Sequence, residues 1–210
     1  MKSHPMIFQA DSVRGIFAGR KTQTRRIINR LKGFGYISEF QASDTKGYDW
    51  KFRCRRGLMH DIKQSELEKC LPYAIGDRIW GKEAFCKGIG SRPFWYKADF
   101  IKRYGAWEQD VQEGVLGALR NENGWESPLF MPRVVSRLDL LIIGLLVEPL
   151  LDIDDADALA EGVEFSSVGG GNCPRENYCG VWEKLNGKKH PWASNPPVLT
   201  FEFLRVECPL

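Results

Sequence analysis

The chain is poor in the residues that hold metals. It has three histidines and six cysteines (Cys54, Cys70, Cys86, Cys173, Cys179 and Cys208), and no two cysteines stand in C-x-x-C spacing. The ligand spacing of a structural zinc site is therefore missing. The reading that keeps a metal pairs Cys54 with Cys70, or Cys173 with Cys179; the expectation set against it is no metal and no cofactor. Long apolar runs are missing too. The most apolar stretch, Leu138 to Leu151, is interrupted by Asp139, Gly144, Glu148 and Pro149. It is too short and too broken to cross a bilayer, so no membrane is expected as a partner. Gly169-Gly170-Gly171 has no Lys-Ser/Thr after it, which excludes a phosphate loop of the nucleotide-hydrolase type. Lys2, Ser3 and His4 lead straight into a short apolar run with no secretory leader, and the expected location is the cytoplasm, with thiols reduced. There is no internal repeat.

Aromatic residues are plentiful: seven Trp, twelve Phe and six Tyr. The net charge of +3 is small, but it is unevenly spread. Residues 1–60 carry thirteen Lys/Arg against four Asp/Glu, whereas residues 61–210 carry seventeen against twenty-three. Either the N-terminal part presents a basic face to a nucleic acid, or the two halves pair electrostatically within the fold.

The basic residues concentrate in Gly19-Arg20-Lys21-Thr22-Gln23-Thr24-Arg25-Arg26. Before it, Val13, Ile16 and Phe17 recur at helical spacing, with Asp11 as the expected N-cap and Gly19 as a left-handed stop. Four cations in seven residues cannot be ordinary core. The stretch is either a solvated strand after a helix stop or a surface that meets a polyanion.

The rest of the chain reads as strands at both ends with few helices. Strands are expected at 5–10, 22–28, 79–86, 94–98, 134–149 and 198–206. A short helix capped by Asp154 ends at Gly162, and another runs from Arg175 to Leu185 with Tyr178, Val181, Trp182 and Leu185 on one face. Segment 29–70 is glycine-punctuated and polar, with a hairpin near 48–54 and a helix near 64–69. These signals indicate one α+β domain over 1–210, a small curved mixed sheet or barrel with short helices and insertions at about 29–70 and 100–130. Glu83 falls mid-strand among apolar neighbours, so it faces either water, a site, or an arginine that it pairs with structurally.

The ordered segments resemble the ASCH domain family of the PUA-like superfamily. Gly19-x-Lys21-x-x-Thr24-x-Arg26 is similar to that family's Gly-x-Lys-x-x-Glu-x-Arg signature, with Thr in place of Glu. Gly76-Asp77 before a strand, Ala160-Glu161-Gly162 closing a short acidic helix, and Val198 to Phe203 as a closing strand extend the resemblance. Trp80, Glu83, Met131-Pro132-Arg133, Trp182 and Trp192-x-x-Asn195-Pro196 look like the longer members encoded by bacteriophages and prophages. The resemblance implies a PUA-like β-barrel with a cleft that binds RNA or modified nucleosides. One bacterial branch removes the acetyl group of N4-acetylcytidine with a Lys and a Thr of the signature and a Glu at the end of the short helix. The matching positions are Lys21, Thr24 and Glu161.

That chemistry is consistent with the residue types. A threonine hydroxyl attacks an amide only when a base takes its proton, and a lysine serves as that base when burial or neighbouring cations lower its pKa. Glu161 would pass the proton to the leaving amine, and Arg20, Arg25, Arg26 and Glu83 would bind substrate or nucleic acid. Residues three apart on a regular strand point to opposite faces, so Lys21 and Thr24 converge only if Lys21 lies in the turn after Gly19. The plainer readings are a surface lysine, a strand threonine and a solvated glutamate. The competing functions are a non-catalytic binder of RNA or modified DNA and a phage factor that binds a host protein.

Overall fold

The computed structural model describes residues 1–87, 94–99, 102–103, 106–107, 125–164 and 173–206. In chain order the elements are β1 (Ser3–Ile7), α1 (Ala10–Phe17), β2 (Gln23–Ile27), β3 (Arg30–Leu31), β4 (Gly35–Ala42), β5 (Trp50–Cys54), β6 (Met59–Ile62), α2 (Gln64–Leu67), β7 (Arg78–Lys82), β8 (Phe85–Lys87) and β9 (Phe94–Tyr96). Then come β10 (Lys102–Arg103), β11 (Ala106–Trp107), β12 (Asp139–Pro149), α3 (Asp155–Ala160), α4 (Pro174–Asn186) and β13 (Pro197–Val206). The class is α+β, rich in strands with short helices, as the sequence indicates. Among the described residues no helix is long and apolar enough to cross a membrane. The triple glycine 169–171 and most of the 100–130 insertion lie outside the described residues.

The chain forms two compact units. The first takes Met1–Gly19, Arg78–Leu141 and Arg205–Leu210. Here β1 runs parallel to β7, with Ser3 opposite Arg78, and the start of β12 runs antiparallel to β7, with Asp139 opposite Trp80. Helix α1 buries Val13 and Ile16, the positions its periodicity marks. Gln9 rather than Asp11 occupies its N-cap; Asp11 sits in the first turn and pairs with Arg14. Gly19 follows at φ +71°, the left-handed stop that its position suggests. A second apolar group joins Phe85, Met131 and Val135. The expected strand 79–86 is broken between Lys82 and Phe85. There the Glu83 N–H donates to the Met131 sulfur at 3.2 Å instead of to a neighbouring strand. The long strand begins at Asp139 because Arg133–Val135 turns as a 3₁₀ segment after Pro132.

The second unit takes Arg20–Asp77 and Ile142–Leu204. Strand β13 lies between β12 and β2 and pairs antiparallel with β2, placing Phe201 opposite Thr24 and Thr200 opposite Arg25. Segment 29–70 is more ordered than its composition suggests. It forms a four-stranded antiparallel sheet, β3-β4-β5-β6, with buried Ile37, Phe40, Phe52, Cys54 and Ile62. Phe40 stacks on Trp50 at 5.0 Å, and Phe34 meets Phe52 edge-on at 5.1 Å. Strand signals are faint there because glycines set the turns and polar residues fill the outward positions.

Leu150, Ile153, Ala158, Tyr178, Trp182 and Val198 form the core that seats α3 against α4. Asp154 caps α3 by accepting from the Asp157 N–H at 2.8 Å, as its sequence position indicates. The Arg175 guanidinium donates to the carbonyls of Ile153 and Leu151, each at 2.9 Å, tying α4 to the chain leading into α3. The Trp182 indole donates to the His190 carbonyl at 2.8 Å. Trp182→Ala should therefore cost about 3–5 kcal/mol of stability in denaturant titration, the usual penalty for emptying a buried aromatic site. A loss under about 1 kcal/mol would show that α3 is held by something other than this core.

A candidate site built on a buried lysine–glutamate pair

The second unit contains Lys21, Thr24, Arg25, Arg26 and Glu161. Lys21 stands outside the regular ladder of β2, in the short link after Gly19. It forms an isolated antiparallel bridge with Glu161, beside which the Thr22 N–H donates to the Ala160 carbonyl at 2.9 Å. Two features at the end of α3 make that approach possible. Helix α3 stops at Gly162, whose φ of +85° only glycine adopts without strain. A Cβ at Gly162 would lie 2.9 Å from the Lys21 Cβ, so the glycine also provides the room that Lys21 occupies.

The side chains then meet. Lys21 Nζ donates to Glu161 Oε2 at 2.5 Å and to the Glu161 carbonyl at 2.7 Å, and each side chain is only 4% exposed. Burial lowers the Lys21 pKa from its usual 10.5. The Glu161 carboxylate opposes that shift, and the charges of Arg26 and Arg25 reinforce it. The Tyr178 hydroxyl donates to Glu161 Oε1 at 3.4 Å. Burial first, and the Glu161 charge second, push its pKa well above the usual 10.0, so it stays a donor.

Arg25 is the hub of the surrounding network. Its guanidinium is 1% exposed and meets Asp157 at 2.7 Å, Glu148 at 3.0 Å and Glu161 at 3.6 Å, and donates to Gln23 Oε1 at 2.7 Å. Thr200 Oγ1 donates to Glu148 at 2.6 Å. Arg26 is half-buried. Burial lowers its pKa below the usual guanidinium range while the Glu161 charge opposes the shift. Lys21, Arg25 and Arg26 thus face Glu148, Asp157 and Glu161: three cations against three carboxylates, the balance that buried charges require.

A cavity of about 200 Å³ opens on this network, lined by Gln23, Arg25, Glu148, Asp157, Thr200 and Glu202 among others. It is smaller than the roughly 300–1,000 Å³ of drug-sized sites, and suits a single small ring or group. Lys21, Thr24 and Glu161 are not among its walls. Strand alternation puts Thr24 on the face of β2 that carries Arg26, opposite Phe201, which Tyr73 meets edge-on at 4.9 Å. The Thr24 side chain is buried, and its hydroxyl makes no hydrogen bond among the described residues.

The remaining candidates are placed as follows. Arg20 is exposed and pairs with Glu164 at 3.1 Å. Glu83 belongs to the first unit, where the Arg137 guanidinium grips its carboxylate at 2.9 and 3.1 Å and also reaches Asp99. Burial raises the Glu83 pKa and Arg137 opposes the rise. The site therefore brings Lys21, Arg25, Arg26 and Glu161 together and leaves Arg20 at the surface. Sequence reasoning missed Glu148, Asp157 and Tyr178. The signal for Glu148 was an acid directly after the apolar run Leu145-Leu146-Val147, where a buried carboxylate needs a cation. Among the described residues, no three His, Cys, Asp or Glu side chains group as a metal site would require.

Removing both partners of the buried pair should cost less than the sum of removing each alone. Lys21→Met is expected to lose about 3–5 kcal/mol by denaturant titration. With Glu161→Gln added, the loss should fall short of the sum of the two single losses by about 1–3 kcal/mol. Strict additivity would mean that the two groups do not hold each other.

No family model, no curated protein and no solved structure matches this chain.

Proposed function

We propose that the protein acts on nucleic acid or a modified nucleoside as an ASCH-type amidohydrolase in a PUA-like framework, cleaving an N4-acylated cytidine amide. The observation that carries the reading is the buried Lys21–Glu161 pair, in which proton transfer spans one hydrogen bond of 2.5 Å. Thr24 Oγ1 attacks the acyl carbon and its proton passes to the neutral Lys21 amine. The tetrahedral intermediate collapses with cleavage of the C–N bond, and the exocyclic nitrogen leaves with a proton relayed by Lys21 and Glu161. Water then hydrolyses the threonine ester and releases the acid. Arg26 and Arg20 supply positive charge for the oxyanion or for phosphate, while Arg25 holds the carboxylates in place.

Thr24→Val gives the cleanest test. The hydroxyl has no hydrogen-bond partner among the described residues, so its replacement leaves stability within about 1 kcal/mol and removes only the nucleophile. Turnover of N4-acetylcytidine, followed by mass spectrometry, should disappear. Wild-type protein that leaves every acylated cytidine intact, free or within an oligonucleotide, would end the hydrolase reading. The alternative is a non-catalytic binder of RNA or modified DNA. It is favoured by the cavity's walls, which omit Lys21 and Thr24, and it predicts salt-sensitive binding without turnover.

The pH profile tests the base. The folded pKa of Lys21 lies below 10.5, and the amine works when neutral, so kcat/KM should rise with pH along a limb centred below 10.5. Glu161→Gln removes the carboxylate that holds that pKa up, so the limb of the residual activity should move to lower pH. A limb that stays put, or moves alkaline, would show that Lys21 is not the group titrating.

A further inference from the structure

A second cationic site lies at one end of the four-stranded sheet. The β3–β4 turn and the β5–β6 turn fall at the same end of this antiparallel sheet, and a cavity of about 590 Å³ opens there. Arg55, Arg56, His60, Phe34 and the backbone of Gly33 and Gly35 line it. Gly33 and Gly35 have φ of +89° and +75°, conformations that favour glycine, so these two positions of the rim carry no side chain. No aspartate or glutamate lines the cavity, and none occurs in residues 29–38 or 50–60.

The charges of the sheet are sorted by position. At the opposite end, in the β4–β5 connection, Asp44 takes Lys51 at 2.9 Å, and Asp61 accepts from Ser43 and Thr45. Next to the β5–β6 turn, Arg53 is taken by Glu39 at 2.8 Å and donates to the Gly57 carbonyl at 2.9 Å. Arg55, Arg56 and Lys32 are exposed, and their side chains have no ion pair or hydrogen bond among the described residues. Arg30 lies over the exposed Tyr36 ring at 4.0 Å, which holds a fourth cation beside Gly35. Neighbouring like charges repel, and Arg55, Arg56 and Lys32, which no carboxylate pairs with among the described residues, leave their field available to an external anion.

We propose that this turn pair is a phosphate-backbone site for a single nucleic-acid strand, with Arg55 and Arg56 on successive phosphates and Lys32 and Arg30 extending the track. A strand fits better than an isolated anion because the cations are spread along two turns rather than converging on one point. The inference rests on reading this chain as one that handles nucleic acid, and it adds that the substrate is polymeric.

The test is fluorescence anisotropy with labelled single-stranded RNA and DNA of about 16 nucleotides, titrated at several salt concentrations. Arg55→Ala/Arg56→Ala should weaken binding about tenfold. It should also flatten the dependence of log affinity on log salt by about 1.4, at roughly 0.7 for each phosphate no longer neutralised. Lys188→Ala/Lys189→Ala removes the same charge from exposed positions elsewhere in the second unit and should change neither quantity. Equal weakening by both pairs would mean that net charge alone is at work, and an unchanged salt slope in the arginine variant would mean that neither arginine meets a phosphate; either result overturns the proposal. Wild-type protein that binds no oligonucleotide overturns it too, while hydrolysis of a free nucleoside could still stand. Conversely, binding that depends on Arg55 and Arg56 without any turnover supports this site and removes only the hydrolase reading.

Discussion

A charge removed from water must find an opposite charge, and in the second unit that requirement governs how β2, α3, β12 and β13 are arranged. Lys21 and Arg25 are almost fully excluded from solvent. Glu161 comes to Lys21 from the end of α3, Asp157 to Arg25 from within α3, and Glu148 to Arg25 from β12. Each carboxylate is carried by an element whose position is fixed by apolar packing. The first unit obeys the same rule on a smaller scale, where Arg137 joins Glu83 to Asp99 beneath the Tyr96 ring.

The consequence for chemistry is a lysine held in conflict. Burial and two adjacent guanidinium groups favour its neutral form, while one carboxylate favours the charged form. Burial thus sets the direction of the Lys21 shift, and the Glu161 carboxylate limits it. The four-stranded sheet shows the contrasting treatment of charge. At one end of it Lys32, Arg55 and Arg56 are exposed, with no side-chain ion pair or hydrogen bond among the described residues.

Much of the local structure was legible in the residues. Gly19 ends α1, Asp154 caps α3, Gly162 stops it, and the alternation from Val198 onward makes β13. Each of these follows from a rule that acts within a few residues, and each holds in the structure. Segment 29–70 was less legible, because a four-stranded sheet with one wet face and glycine turns carries few apolar residues per strand. Glu83 was misplaced in mid-strand because its break depends on Met131, far along the chain.

The four cations of 20–26 mark the limit. The sequence alone determined that 20–26 follows a helix stop, bears positive charge and continues as a strand, because helix termination and strand alternation are local. It did not determine that Arg20 meets water, that Arg25 is sealed among carboxylates, or that Thr24 sits on the opposite face from Arg25. Nor did geometry read from the chain place Lys21 on a glutamate 140 residues away. Those outcomes were decided by tertiary structure, because the free energy of a buried charge depends on what other elements bring within a few ångströms of it, not on its neighbours in the chain.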